Sequence, residues 1–110
     1  MEIINWLQNW YEKECDGDWE HGYGVEIKTI DNPGWKVKIN ISKYFDDNYS
    51  LNIIQVETSA KDWYSYKIEN SFFYGYSDPN KLCFLLEKFK EIIETASRGV
   101  TDDPFATMEN

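Results

Sequence analysis

Hydrophobic side chains recur with two different periods along this chain of 110 residues. The first apolar side chains share one face of a helix: Ile3, Leu7, Trp10 and Tyr11. An N-terminal helix is therefore predicted, ending near Glu14 or Cys15 because Gly17 breaks the pattern.

From residue 23 the period changes to two, which is typical of half-buried β-strands. The alternating segments are YGVEIKTI (residues 23–30) and WKVKINIS (35–42), separated by the turn sequence DNPG. If both apolar faces lie on the same side of the sheet, a register follows, because a slip by one residue would turn one face outward. The predicted pairs are Val25 with Ile41, Ile27 with Ile39, and Thr29 with Val37.

Three further strands are predicted in SLNIIQVETS, DWYSYKIEN and SFFYGYS. Asp78 and Pro79 follow, and they predict a helix with Asp78 as its N-cap and Pro79 at its first position. That helix carries a strong apolar stripe and closes near Arg98 and Gly99. Grouped strands between two helices predict an α+β fold, a five-stranded antiparallel meander with the amphipathic C-terminal helix packed on it. Residues 1–99 form one predicted domain, and residues 100–110 a mobile tail.

Charge and composition narrow the function classes. The net charge is −9, which repels nucleic acid and anionic membrane surfaces and favours a basic protein partner. No glycine-rich phosphate loop or cofactor domain is evident, so no cofactor is expected. The N-terminus does not resemble a signal peptide, no segment is apolar enough to span a membrane, and two distant cysteines fit a reducing compartment. A cytoplasmic protein is predicted.

The segment CDGDWEHGYG (residues 15–24) carries the densest chemistry in the chain. Catalysis by Cys15 is disfavoured, because the surrounding carboxylates raise the pKa of a thiol. A metal site is disfavoured because the pattern lacks a complete calcium loop and the chain holds a single histidine. The third interpretation is a recognition surface of acidic and aromatic side chains held by glycines.

Recognition by a protein partner is the interpretation we adopt. The candidate contact residues are these: Asp16, Asp18, Trp19, Glu20, His21, Asp31, Asn32 and Trp35. Trp19 could serve as a surface anchor or as a core support for the loop, and Trp35 is equally open to either role. The competing hypothesis is a small metal-assisted hydrolase that uses the acidic residues at 16, 18 and 20 together with His21.

Two long motifs carry a family resemblance. WLQNWYEKECDGDWEHGYGVEIKTIDNPGWKVKI (residues 6–39) and FFYGYSDPNKLCFLLEKF (72–89) resemble the bacterial immunity protein 53 family of polymorphic toxin systems. The segment ISKYFDDNYS (41–50) departs from the acidic start that this loop usually has in the family. The resemblance implies a non-enzymatic protein that binds and blocks a cognate toxin. Because the chain is acidic, we expect a basic toxin, and a nuclease is the specific hypothesis.

Overall fold

A computed structural model describes residues 2–46 and 48–101, and the predicted tail lies outside them from residue 102 onward. The helices are α1 (Glu2–Glu14), α2 (Trp19–Gly22) and α3 (Leu82–Thr101). The strands are β1 (Val25–Ile30), β2 (Gly34–Asn40), β3 (Leu51–Ser59), β4 (Asp62–Glu69) and β5 (Phe72–Ser77). The α+β fold is confirmed: along the chain, the five strands of an antiparallel sheet lie between an N-terminal and a C-terminal helix.

The spatial order of the strands is β1-β2-β5-β4-β3. Consecutive strands form one hairpin, β1–β2, and one three-stranded meander, β3–β4–β5. The order differs from a single continuous meander at one place, where β2 pairs with β5 and the chain crosses to the far edge before β3 begins. As a result, β1 and β3 are the two edges of the sheet.

The core lies between one face of the sheet and the two long helices. Fully buried side chains of β2 and β5, Val37, Ile39 and Phe73, meet the apolar stripe of α3. Gly75 marks a close approach, since a Cβ there would lie 3.2 Å from Leu85 of α3. The stripe of α1 closes the same core, as Ile3, Leu7 and Trp10 are buried. Trp10 packs edge-on against Phe89, with ring centroids 4.9 Å apart.

The other face of the sheet is covered by lysine stems over aromatic rings. On this face the central strand β5 presents Phe72, Tyr74 and Tyr76, which alternate with its core side chains. The Nζ of Lys38 lies 4.7 Å from the centroid of Phe72, and that of Lys67 lies 5.4 Å from Tyr74. Such cation–π contacts shield the rings while the ammonium groups stay in water.

The predicted hairpin register is wrong by two residues. Val25 pairs with Ile39, and Ile30 pairs with Gly34, so the turn holds only residues 31–33. The apolar faces stay together because the shift is even. Gly34 belongs to β2 because β5 lies against it: a Cβ at this position would stand 2.1 Å from the carbonyl oxygen of Ser77.

The predicted start of the last helix is also wrong, because α3 begins at Leu82. The Asp78 carboxylate does accept a nearby amide, from Asn80 at 2.8 Å, but its other oxygen accepts the N–H of Trp63 at 2.9 Å. Asp78 thus joins a turn to β4, and the first helical hydrogen bond runs from Leu85 to the carbonyl of Lys81. No helix in the described part of the chain is long and apolar enough to cross a membrane.

Candidate partner-binding site

The acidic segment, residues 15–24, follows α1. Its backbone is held by hydrogen bonds to its own carboxylates. Asp16 accepts hydrogen bonds from the backbone N–H groups of Asp18 and Trp19, both at 2.9 Å. Glu20 in turn accepts the N–H groups of Asp16 at 2.9 Å and Gly17 at 2.8 Å. Backbone N–H groups at the start of a helix have no acceptor inside it, and here the Asp16 carboxylate supplies one. The Glu20 carboxylate in return accepts the N–H of Asp16, as in a capping box. The turn of helix α2, which periodicity did not predict, follows from these caps.

The same hydrogen bonds keep the segment negatively charged. Backbone N–H groups of Trp19 and Asp18, followed by Lys43, hold the pKa of Asp16 well below its usual value. Backbone amides also lower the pKa of Glu20, against an opposing effect of desolvation. The Nζ of Lys43 lies 3.1 Å from the Asp16 carboxylate. Both carboxylates are therefore ionised at neutral pH.

A second network of hydrogen bonds joins the loop after β2 to the end of α1. The buried Glu14 carboxylate accepts the hydroxyl of Tyr44 at 2.8 Å, and that hydroxyl accepts the indole N–H of Trp10 at 3.0 Å. Lys43 donates to the Glu14 carbonyl at 2.8 Å. Burial, together with the hydrogen bond to Glu14, raises the pKa of Tyr44 to about 12. The loop after β2 is thereby held beside the acidic segment.

Trp19 lies in the core beneath the segment. Its side chain is 3% exposed, and its ring packs edge-on against Trp10 with centroids 5.7 Å apart. The indole N–H donates to the carbonyl of Asn40 at 3.3 Å. Of the two roles considered for Trp19, the structure places the side chain where it supports the loop and where a partner cannot reach it.

Asp18 and His21 are two polar side chains of the segment that make no hydrogen bond to the rest of the described residues. Both are exposed, and they lie three positions apart along the chain at α2. Among the described residues, neither side chain takes part in a hydrogen bond or a salt bridge. The segment thus presents one carboxylate and one imidazole on a backbone that Asp16 and Glu20 hold in place.

A groove of about 420 Å³ opens beside this segment, between α1 and the start of β1. Its lining is mostly apolar, and its members are Ile4, Leu7, Gln8, Tyr11, Glu20, Tyr23, Gly24 and Val25. Glu20 supplies the only charged side chain of that lining. Tyr11 and Tyr23 are 40% and 59% exposed. Sequence patterning assigned Tyr11 to the core stripe, and its position at the margin of that stripe was the signal for a half-exposed side chain.

The hairpin tip stands apart from this groove. Asp31 and Asn32 are exposed in the turn, at the opposite end of β1 from the acidic segment. Six residues of strand place the two regions roughly 20 Å apart. Trp35 is half-buried against the core, and its indole N–H donates to the carbonyl of Pro79 at 3.0 Å. Of the predicted contact residues, Glu20 lines the groove, and the turn residues form a separate surface.

Two of the three carboxylates of the segment, those of Asp16 and Glu20, are engaged with the protein itself. Within residues 2–46 and 48–101, no three His, Cys, Asp or Glu side chains are grouped so that they could hold a metal ion. Asp16 and Glu20 are committed to backbone amides, and the Cys15 thiol donates to the carbonyl of Tyr11 at 3.3 Å. No observation in this region favours the hydrolase hypothesis.

Comparison with known proteins identifies the chain. No curated protein and no solved structure matches it. The model of the family described as immunity protein 53 matches residues 4–94, a range that includes most of α1, the acidic segment, the whole sheet and most of α3. The chain belongs to the immunity protein 53 family, and its role is the toxin-neutralising one of an immunity protein.

Proposed function

We propose that this immunity protein neutralises its toxin by binding, without catalysis, and that the groove between α1 and β1 receives a basic side chain of the toxin. The observation that carries the proposal is the make-up of the groove. Its apolar lining contains a single carboxylate, Glu20, and two partly exposed tyrosines flank it. A lysine or arginine side chain fits this combination, because its stem is apolar and its head bonds to carboxylates.

The surroundings of the groove support the same partner. Asp18 is exposed two positions before Glu20 in the chain, and Glu20 is held in the ionised form, so a cationic group would meet negative charge on arrival. Tyr11 and Tyr23 supply the rigid aromatic area that dominates many protein interfaces. Over longer distances, the net charge of −9 would accelerate the approach of a basic toxin.

The narrower proposal is that the toxin is a nuclease. Proteins that cleave nucleic acid bind its phosphates with basic clefts, and an acidic inhibitor can occupy such a cleft. The hairpin tip, with Asp31 and Asn32, would act as a second contact only if the toxin reaches around β1. The toxin assayed alone tests this: a toxin that is acidic, or that leaves nucleic acid intact, would overturn the nuclease proposal.

The first experiment is co-expression with the product of the adjacent toxin reading frame, scored by growth and by isolation of a complex. Wild-type protein should restore growth and co-purify with the toxin. The double variant Asp18→Asn with Glu20→Gln should lose at least about tenfold in affinity, because interface charges near a basic partner are removed.

The matched control is Glu57→Gln with Glu87→Gln, which removes the same net charge from exposed sites on β3 and α3. It should bind the toxin almost as the wild type does. Equal affinity of the two double variants would place the interface elsewhere. Absence of any complex with the wild type would reject direct binding.

A further inference from the structure

The exposed apolar side chains of the described residues fall into two places. Six large hydrophobic side chains are exposed, and two of them, Tyr11 and Tyr23, flank the groove. The other four belong to β3 and the residues just before it: Tyr49, Ile53, Ile54 and Val56. The groove lies at the β1 edge and these four side chains at the β3 edge, so they are separate apolar surfaces on opposite edges of the sheet.

β3 is also free to form further backbone hydrogen bonds. It pairs with β4 on one side and is the last strand of the sheet on the other. Two irregularities, between Leu51 and Ile54 and between Glu57 and Ser59, bracket the stretch from Ile54 to Glu57, which pairs regularly with β4. An unpaired edge of this kind is a template for another strand, and bulges limit how far such pairing can extend.

Charge indicates which strand this edge accepts. Two copies of a protein with net charge −9 repel each other, so they can approach only where charge is absent. Residues 48–56, NYSLNIIQV, contain no charged side chain. A basic toxin would gain no electrostatic advantage at this edge, whereas a second copy avoids its main obstacle there.

We propose that β3 pairs antiparallel with β3 of a second copy, about a two-fold axis at Gln55. In this register Ile54 faces Val56 of the second copy, and Val56 faces Ile54. Both apolar pairs then lie on the helix-covered side, next to Tyr64 and Tyr66, which pair with Val56 and Ile54 within one copy. The two sheets become one continuous sheet.

The two-fold arrangement is closed, since each copy uses the same stretch of its β3 edge. The β1 edge of each copy stays outermost, with its groove open, so a dimer could bind two toxin molecules. The interface is short, and we expect weak association, with a Kd of roughly micromolar order. The proposal of a dimer depends on the β3 edge alone, so it does not require that the toxin binds in the groove.

The test is sedimentation velocity of the full chain without toxin, over a range from roughly 1 to 200 µM that spans the expected Kd. The mass should rise with concentration from that of the 13.1 kDa monomer to twice that value. Val56→Glu should raise the Kd of the dimer at least about tenfold, because it places a charge in the part of β3 that pairs with the second copy. Tyr11→Glu is the matched control, since Val56 and Tyr11 are 42% and 40% exposed, and it should leave the dimer unchanged.

Cross-linking tests the register even if Val56→Glu impairs folding. In a chain carrying Cys15→Ser and Cys83→Ser, Gln55→Cys should form a disulfide-linked dimer on mild oxidation, because residue 55 faces itself across the axis. Glu57→Cys in the same background should not, since residue 57 faces residue 53 of the second copy. Equal cross-linking at both positions would overturn the register.

Three results would overturn the dimer itself. The first is a monomer at every concentration, and the second is a series of larger assemblies without a limiting size. The third is a monomeric protein in which Val56→Glu weakens toxin binding, because β3 would then receive a strand of the toxin.

Discussion

The two edges of the sheet expose apolar side chains in different settings. On the β1 edge, Glu26 and Lys28 project into solvent and form an ion pair at 3.7 Å, and Tyr23 stands beside a groove that contains a carboxylate. The β3 edge presents Ile54 and Val56 in a stretch, residues 48–56, that contains no charged side chain. Charged side chains are a common protection of edge strands against pairing with other chains. The difference suggests that β1 selects a charged partner and β3 an uncharged one.

The largest effect is expected where the β1 side depends on the core. Trp19→Ala removes a ring that is 3% exposed and holds the acidic segment against Trp10. The free energy of unfolding should fall by about 3–5 kcal/mol, as for other buried aromatics replaced by alanine. Urea denaturation measures it, with the exposed Tyr23→Ala as a control that should change stability by only about 0.5 kcal/mol. A loss as small as that of the control would show that the core does not support the segment.

The β3 side depends instead on the buried Asp78. Its carboxylate accepts the backbone N–H of Trp63 at the start of β4, and Lys81 pairs with it. Asp78→Ala would remove the acceptor for the partly buried backbone N–H groups of Trp63 and Asn80 as well as the partner of Lys81, so we expect a loss of about 1–3 kcal/mol in the free energy of unfolding. Hydrogen exchange should show the β3–β4 hairpin opening more readily, while the amides of β1 and β2 keep their protection. Uniform loss of protection would contradict this local role.

The same carboxylate gives a test by pH. Burial alone would raise the pKa of Asp78, but hydrogen bonds from Lys81 and from the amides of Trp63 and Asn80 outweigh it and lower the pKa. A lowered pKa in the folded state means that the stabilisation is present above the unfolded value of about 3.9. It is lost as the pH falls through the lower folded value. The difference in stability between wild type and Asp78→Asn should therefore shrink at acidic pH, and a constant difference would argue against the ionised pair.

Local sequence patterns predicted the helices and strands, but not the contacts that these elements make with residues distant in sequence. A period of two located β1 and β2, and a period of three to four residues located both long helices, because those periods arise from the backbone geometry itself. The register of the first hairpin was mispredicted because Gly34 lies against Ser77 of a strand far away in sequence. The start of α3 was mispredicted for a similar reason, since Asp78 bonds to Trp63. Contacts between distant residues leave no periodic signal in a single sequence.

The candidate site was predictable in part. The motif CDGDWEHGYG marked the acidic segment, and its residue types indicated a recognition surface. They could not show that Asp16 and Glu20 bind backbone amides while Asp18 and His21 remain available. The groove itself requires α1 beside β1, which places Tyr11 next to Tyr23.

Toxin affinity separates the edges more directly. Tyr23→Ala should weaken binding of the toxin at least about tenfold, as expected for an exposed aromatic at the centre of an interface. Tyr23→Phe keeps the ring and should lose less. Ile54→Ala, a truncation of an exposed apolar side chain on the other edge, should leave the toxin affinity unchanged. Calorimetry with purified toxin measures all three, and a loss with Ile54→Ala similar to that with Tyr23→Ala would mean that the toxin contacts both edges.

The smallest expected effects are those of salt, and the two edges should respond in opposite directions. Raising the ionic strength from roughly 0.1 to 0.5 M shortens the distance over which charges act. Association with a basic toxin should slow several-fold, because steering by the acidic surface is screened. Pairing of two β3 edges should instead strengthen a few-fold, because the repulsion between two copies of net charge −9 is screened while the apolar contacts remain. Stopped-flow association and sedimentation in the same buffers measure the two trends. If the association rate of the toxin did not depend on salt, charge would not explain binding at the β1 edge. A dimer that weakens as the salt concentration rises would mean that ionic contacts hold it together.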